Sequence, residues 1–371
     1  MLIRHANAFL GGHFEPDTEV RIHNGCVQEV GHGLENGLYE DIIDLGGDYL
    51  LPGFVDVHIH AYRGSDTMQG EEAVRRMSRD LYRGGVAAFL PTTMSASEED
   101  TRRAVEGVRR VMEAPEGLGA RVLGAHMEAP FLQPKKAGAQ VKAHFLTPGR
   151  EAFLRLSGGA DAVRLITLAP ELPGSEEFIR WAVAQGVTVS LGHTDATAEQ
   201  AHLAADWGAA HVTHTFNAQP PLHHRAPGVA GAALCDDRLW AEMICDGIHL
   251  HPDVIRLTVR AKGAARCIAV TDAMEAAGLP DGEYALGGQP VTVRGGEARL
   301  HDGTLAGSVL TMRRALENLL RFGIAPEDAV TMCTSAPADS IGERKAGRLT
   351  PGSPAPLTRW TPDWRMVGIL A

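Results

Sequence analysis

Between residues 51 and 272 the chain repeats one pattern: a short apolar, β-branched run, a segment with helical periodicity, and then another such run. The runs fall at 53–60, 86–92, 121–128, 163–170, 187–193, 210–215, 239–245 and 267–272. Between most of them, segments such as 71–84, 98–112, 176–185, 196–207 and 252–262 space their apolar residues as helices do. Strands that alternate with helices are parallel and joined by right-handed crossovers. Eight such units predict an α/β fold, a (β/α)8 barrel of the TIM type. A chain of 371 residues with 44% hydrophobic content is long and apolar enough for one barrel and a small appendage.

The appendage is written at both ends. Residues 1–50 alternate polar and apolar positions in short runs broken by Gly11-Gly12, Asn24-Gly25 and Gly46-Gly47, the pattern of antiparallel strands and tight turns. The tail at 347–360 is rich in Gly and Pro and again short-stranded. The two ends together predict a small β-sandwich-like domain from 1–50 plus 340–371, with the barrel at 51–339. A Gly-rich hairpin at about 282–303 is expected after the eighth strand, before a helix that starts near Ser308. Long connections at 129–147 and 217–231 follow the third and sixth strands, where barrel enzymes place substrate loops.

Charge and cysteine usage exclude several functions. A formal net charge of -11 lacks the basic excess that binds phosphate backbones, so neither nucleic acid nor an anionic membrane surface is an expected partner. The five cysteines, Cys26, Cys235, Cys245, Cys267 and Cys333, form no CxxC pair and are too few for a disulfide framework, which points to a reducing cytoplasm. No stretch approaches the roughly 20 apolar residues of a membrane span, and residues 1–7 do not begin a signal peptide; the expectation is a protein neither exported nor anchored.

Barrel enzymes build their active sites at the C-terminal ends of the strands, so reactive side chains should recur there. They do. The first strand ends in His58 and His60, which lie two apart and so project to one side. Glu128 ends the third strand, His193 the fifth, His214 the sixth and Asp272 the eighth. Singly, each has a bland reading: a carboxylate that caps a loop, or a histidine hydrogen-bonded at the rim. Six coincident placements argue against that. Imidazole and carboxylate ligands without cysteine suit zinc or another divalent first-row metal. Such an ion lowers the pKa of water toward about 7 and polarises a carbonyl. A neighbouring carboxylate can carry the proton from the attacking water to a leaving nitrogen. His126 shares the facing of Glu128 one layer deeper and is expected to support it through hydrogen bonds. His211 is expected to face the outer helices as a structural residue, and His202 to lie on a surface helix.

Ordered motifs carry a resemblance. The run Leu51-Pro-Gly-Phe-Val-Asp-Val-His-Ile-His60 resembles the first-strand signature of the amidohydrolase superfamily. His126-Met-Glu-Ala-Pro-Phe, Gly192-His-Thr-Asp-Ala, Thr213-His-Thr-Phe-Asn-Ala, Arg225-Ala-Pro-Gly, Asp246-Gly-Ile-His and Val270-Thr-Asp-Ala follow in the order seen in its N-acetylglucosamine-6-phosphate deacetylase family. The resemblance covers nearly the whole chain, including the split β-domain. It implies hydrolysis of the acetamide of a phosphorylated amino sugar, with Glu128, His193 and His214 on one metal and Asp272 as general base and then acid. It also implies that His58 and His60 hold a second metal, with Glu128 bridging and Asp272 nearby. The cofactor is then one or two divalent ions per chain, zinc first, with iron, cobalt, manganese or nickel as alternatives. By the same resemblance Arg225 and His249 contact the phosphate and Asn217 with Ala218 lines the pocket. The family's usual state is a homodimer in which one phosphate contact comes from the neighbouring subunit.

Arg225 offers a planar fork suited to phosphate, although His223, His224 and Arg225 together also read as a solvated basic loop. Three departures stand out: Glu128-Ala129-Pro130 replaces Glu-Gly-Pro, Ala355-Pro356 replaces Ala-Asp, and Gln140 stands where the family has a substrate-contacting histidine. Gln140 can hydrogen-bond but cannot carry charge. Two rival readings remain: an amidohydrolase for a cyclic amide or another N-acyl compound, and an inert barrel used for binding, whose mark would be missing ligands.

Overall fold

The computed structural model describes residues 1–37 and 40–371. Eight strands form the barrel: Phe54–Ile59, Val86–Thr93, Ala125–Phe131, Val163–Leu168, Thr188–Leu191, His211–Val212, Trp240–Ile244 and Cys267–Val270. Each pairs in parallel with the next in the chain. The last meets the first where the Asp272 N–H donates to His58 O at 2.8 Å and the His60 N–H to Ala273 O at 3.0 Å. Helices cover the outer face and side chains fill the inside, which is why these strands read as nearly unbroken apolar runs. The strand Val86–Thr93 is buried along its whole length.

The helices Glu71–Arg83, Glu98–Glu113, Ser175–Ala184, Ala198–Trp207 and Pro252–Lys262 stand where the periodicity places them. Their starts are chemically marked. The Ser97 hydroxyl accepts from the Asp100 N–H, with three acids in the first turn to complement the helix dipole. Thr197 and Gln200 form a reciprocal capping box. The helix Gly228–Cys235 lies partly in the stretch to 231 expected as a loop. Its residues are small and apolar on every side, and the buried Val229, Ala230, Ala232 and Ala233 leave no polar face for periodicity to reveal.

The insertion after the eighth strand is a three-stranded antiparallel sheet, Gly282–Leu286, Gln289–Arg294 and Glu297–Leu300. Leu286, Val291, Val293 and Ala298 pack against Met94, Met274 and Ala306, so the insertion has its own apolar seat on the barrel mouth. The following helix begins at Met312, capped by Thr311, four residues later than expected. Ser308 is occupied otherwise: its hydroxyl donates to Thr271 O and its N–H to Asp272 O.

Among the described residues seven strands from both chain ends form a second sheet, in which Leu357–Trp360 pairs antiparallel with Tyr49–Pro52. Ile3, Val20, Ile22, Leu50 and Leu357 share its core. Gly53 is the passage from this sheet into the barrel; a Cβ there would sit 2.6 Å from Ala87 Cβ, closer than packing allows. Among the described residues no helix is long and apolar enough to cross a membrane.

Candidate metal centre

The predicted site residues meet at the C-terminal mouth of the barrel, but not all by simple strand alternation. His58 lies in the first strand with His60 just beyond it, and Glu128 lies in the third. The fifth and sixth strands end earlier than expected, at Leu191 and Val212. Beyond these ends His193 (φ 46°), His214 (φ 30°) and Asp272 (φ 48°) take left-handed backbone conformations that turn their side chains over the mouth. The same break corrects the expectation for His211. Alternation carried unbroken to His214 would aim His211 at the outer helices; instead its ring is fully buried, with Nδ1 3.0 Å from Glu242 Oε1.

Two groups of three ligand atoms result, each within a 4.8 Å span: His58 with His60 and Asp272, and Glu128 with His193 and His214. Glu128 joins them. Its Oε1 lies 3.1 Å from both His193 Nε2 and His214 Nε2 and 3.4 Å from His58 Nε2, while Oε2 lies 3.2 Å from His60 Nε2. Asp272 Oδ1 lies 3.2 Å from His60 Nε2 and 3.5 Å from His58 Nε2.

Hydrogen bonds on the far side of each ring decide what the near side can do. His193 Nδ1 meets Lys136 O at 2.8 Å, His214 Nδ1 meets Asn217 O at 3.1 Å and His60 Nδ1 meets Thr92 O at 3.3 Å. His58 Nδ1 meets the Glu242 carboxylate at 3.2 Å. These partners only accept, so each Nδ1 carries a proton and each neutral ring presents a lone pair at Nε2. Lone pairs then face carboxylate oxygens and each other: His193 Nε2 and His214 Nε2 are 3.0 Å apart, and His58 Nε2 is buried without a hydrogen-bond partner. Only cations balance such an array. The donor set, imidazole and carboxylate with oriented outer hydrogen bonds, fits divalent metal ions.

Protons on His58 and His60, both of whose pKa values the carboxylates raise, can fill part of that role. Burial works against the charge on Glu128, but His58, His193 and His214 outweigh it and hold the carboxyl well below its ordinary range. Burial likewise opposes ionised Asp272, and His58 with His60 overrides it. Burial pulls the His60 pKa down, yet hydrogen bonds to Asp272 and Glu128 raise it to about 9. His60 therefore keeps its proton below about pH 9, and a metal must displace it. Metal affinity is expected to climb as pH rises toward that value, since His58 is raised as well and must also lose its proton. Calorimetric zinc titration in buffers of different ionisation enthalpy checks this; binding at neutral pH without proton release would contradict it.

Over this floor lies a cavity of about 380 Å³. Asn217, Ala218 and His249 line its wall, Leu286 comes from the inserted sheet, and Thr304 and Leu305 come from the segment after it. His249 Nδ1 is 2.6 Å from Asp246 Oδ2; burial disfavours its charge, but the carboxylate raises its pKa and favours a cation beside the cavity. Gln140 also lines the cavity, yet its amide is already engaged, donating to Glu128 Oε2 and accepting from the Ser95 N–H at 2.7 Å. Arg225 lies on an exposed loop beside His224, 2.6 Å away, and is not part of the cavity wall in its own chain. His126 is buried one layer below, with Nε2 2.8 Å from Thr167 Oγ1. Burial first, and the nearby His58 second, push its pKa well down, so it stays neutral.

Three residues escaped the sequence reading. Lys135 and Lys136 bring positive charge to the cavity from the long connection after the third strand. Glu242 sits in the seventh strand and braces His58; its signal was a lone acid within an apolar run, which must find partners when buried.

The family model for the amidohydrolase family matches residues 49–368. The chain belongs to the amidohydrolase family. Within it, the chain is 38% identical over 356 residues to the N-acetylglucosamine-6-phosphate deacetylase of Bacillus subtilis (strain 168), covering 94% of this chain and 90% of that protein. It is 33% identical over 347 residues to the N-acetylgalactosamine-6-phosphate deacetylase of Escherichia coli O157:H7, covering 91% and 89%. A mutant N-acetyl-D-glucosamine-6-phosphate deacetylase from Mycobacterium smegmatis, solved in complex with N-acetyl-D-glucosamine-6-phosphate, superposes with a TM-score of 0.91. That structure is 30% identical, and the match covers 100% of this chain and 97% of the other.

Proposed function

We propose that this chain hydrolyses the acetamide of N-acetylglucosamine 6-phosphate to acetate and glucosamine 6-phosphate. The observation that carries the reading is Glu128, which belongs to one three-residue ligand group and reaches His58 and His60 of the other at the floor of the cavity. Glu128, His193 and His214 would hold one divalent ion, and His58, His60 and Asp272 a second with Glu128 between them. Zinc is the ion we favour for these nitrogen and oxygen donors, ahead of iron, cobalt, manganese or nickel. A bound ion supplies Lewis acidity, which polarises the acetamide carbonyl and acidifies water.

The remaining work falls to the chain's own groups. Asp272, ionised and facing the cavity, accepts a proton at its carboxylate as the water oxygen bonds to the carbonyl carbon. It returns that proton to the nitrogen as the C–N bond breaks, and the hydroxyl proton left on the acetyl group passes to the released amine, so acetate and an ammonium group leave. His249 offers a positive ring edge to the phosphate. Arg225, exposed and outside its own cavity, is suited to reach the phosphate of a neighbouring subunit in a homodimer. Asn217 and Ala218 line the sugar's side of the pocket, and Gln140 holds the wall beside Glu128. The five unpaired cysteines support a cytoplasmic location.

Relatives of both epimeric specificities make the sugar the point to test. The kcat/KM for N-acetylglucosamine 6-phosphate should exceed that for unphosphorylated N-acetylglucosamine by about 10- to 100-fold, as charged hydrogen bonds worth roughly 1.5–3 kcal/mol imply. Equal rates would remove the phosphate roles of His249 and Arg225. A preference for the galactosamine epimer would overturn the choice of sugar.

A further inference from the structure

We infer that Glu242 is a positioning residue whose carboxylate, acting through His58, sets the affinity of the ion held by His58, His60 and Asp272; this rests on the two-ion reading above. Glu242 is fully buried and is not part of the cavity wall, so it acts on the site only through its neighbours. Its Oε2 accepts from His58 Nδ1 at 3.2 Å and from the His214 N–H at 3.3 Å, and its Oε1 faces His211 Nδ1 at 3.0 Å. Among the described residues its ion-pair partners are these two histidines, with no lysine or arginine.

The four candidate ligand histidines are not braced alike. His60, His193 and His214 rest their Nδ1 atoms on backbone carbonyls, which are neutral. His58 alone rests on a charged acceptor. A carboxylate behind an imidazole fixes its tautomer and raises its basicity toward a metal, and loss of such a partner typically costs about 10- to 100-fold in affinity. The charged brace therefore favours one of the two ions selectively.

Glu242→Gln removes the charge and keeps an oxygen for His58 and the His214 amide. The new amide N–H can donate to His211, whose Nε2 has no partner to lose when the ring changes tautomer. The variant should therefore fold. Zinc would be titrated into metal-free wild type, Glu242→Gln, His58→Gln and the double variant, with thermal melting of each metal-free protein as the folding control. Wild type should bind two ions. Glu242→Gln should weaken one of them about 10- to 100-fold and leave the other unchanged. In the His58→Gln background it should change nothing further, because the effect travels through His58.

Wild-type affinities in Glu242→Gln, or equal weakening of both ions, would overturn the inference. If that variant does not fold, Glu242→Asp, which keeps the charge on a shorter arm, should weaken the same ion and spare the other; equal weakening there counts against Glu242 as well. A wild-type chain that binds a single ion would instead overturn the two-ion reading, and this inference with it.

Discussion

Asp272→Asn is expected to lower kcat by about 10²- to 10⁴-fold, the usual contribution of a positioned general base and acid, with KM close to wild type. The substitution is nearly isosteric and the main chain around it is held independently: the Asp272 N–H donates to His58 O, and Asp272 O accepts from the Ser308 N–H. The backbone there has φ 48°, a conformation that Asn and Asp both tolerate. What changes is the ability to take a proton. An asparagine oxygen can still approach an ion held with His58 and His60 as proposed, so metal content should persist while turnover falls. Steady-state kinetics with metal analysis checks this, and turnover like that of wild type would exclude Asp272 as the proton carrier.

Glu128→Ala is expected to have the larger effect, loss of both ions and of activity beyond what Asp272→Asn produces. One carboxylate touches both groups, through Oε1 to His193 and His214 and through Oε2 to His60. Without it the four imidazoles keep only Asp272 beside His58 and His60, His193 and His214 face no anion, and a divalent ion would lose the ligand proposed to join the two groups. His58→Gln/His60→Asn makes the complementary test. It leaves Glu128, His193 and His214 intact, so one ion should remain where wild type binds two. Metal analysis of the purified variants decides; two ions in the double variant would show that this pair holds neither.

These variants separate what is written in spacing from what is written in the folded backbone. His58 and His60 were legible because residues two apart on a strand share a side. Glu128 followed from its place at a strand end. His193, His214 and Asp272 were legible as residues but not as geometry, since left-handed turns at strand ends leave no periodic trace. That same unseen break is why His211 was expected to face outward. Helix Gly228–Cys235 was hidden by small apolar residues on all its faces, and Glu242 by an apolar strand in which pattern alone gives a carboxylate no visible partner. Arg225 differs again: its assigned role needs a second copy of the chain, which alternation and spacing within one chain do not describe.

The most direct measurement is acetate release from N-acetylglucosamine 6-phosphate by the same preparation before chelation, after chelation and after zinc is restored. Metal-dependent hydrolysis requires turnover that disappears with the metal and returns as zinc refills the site, with two ions per chain at saturation. Undiminished turnover by the metal-free protein, or no acetate from the zinc-loaded one, would contradict it.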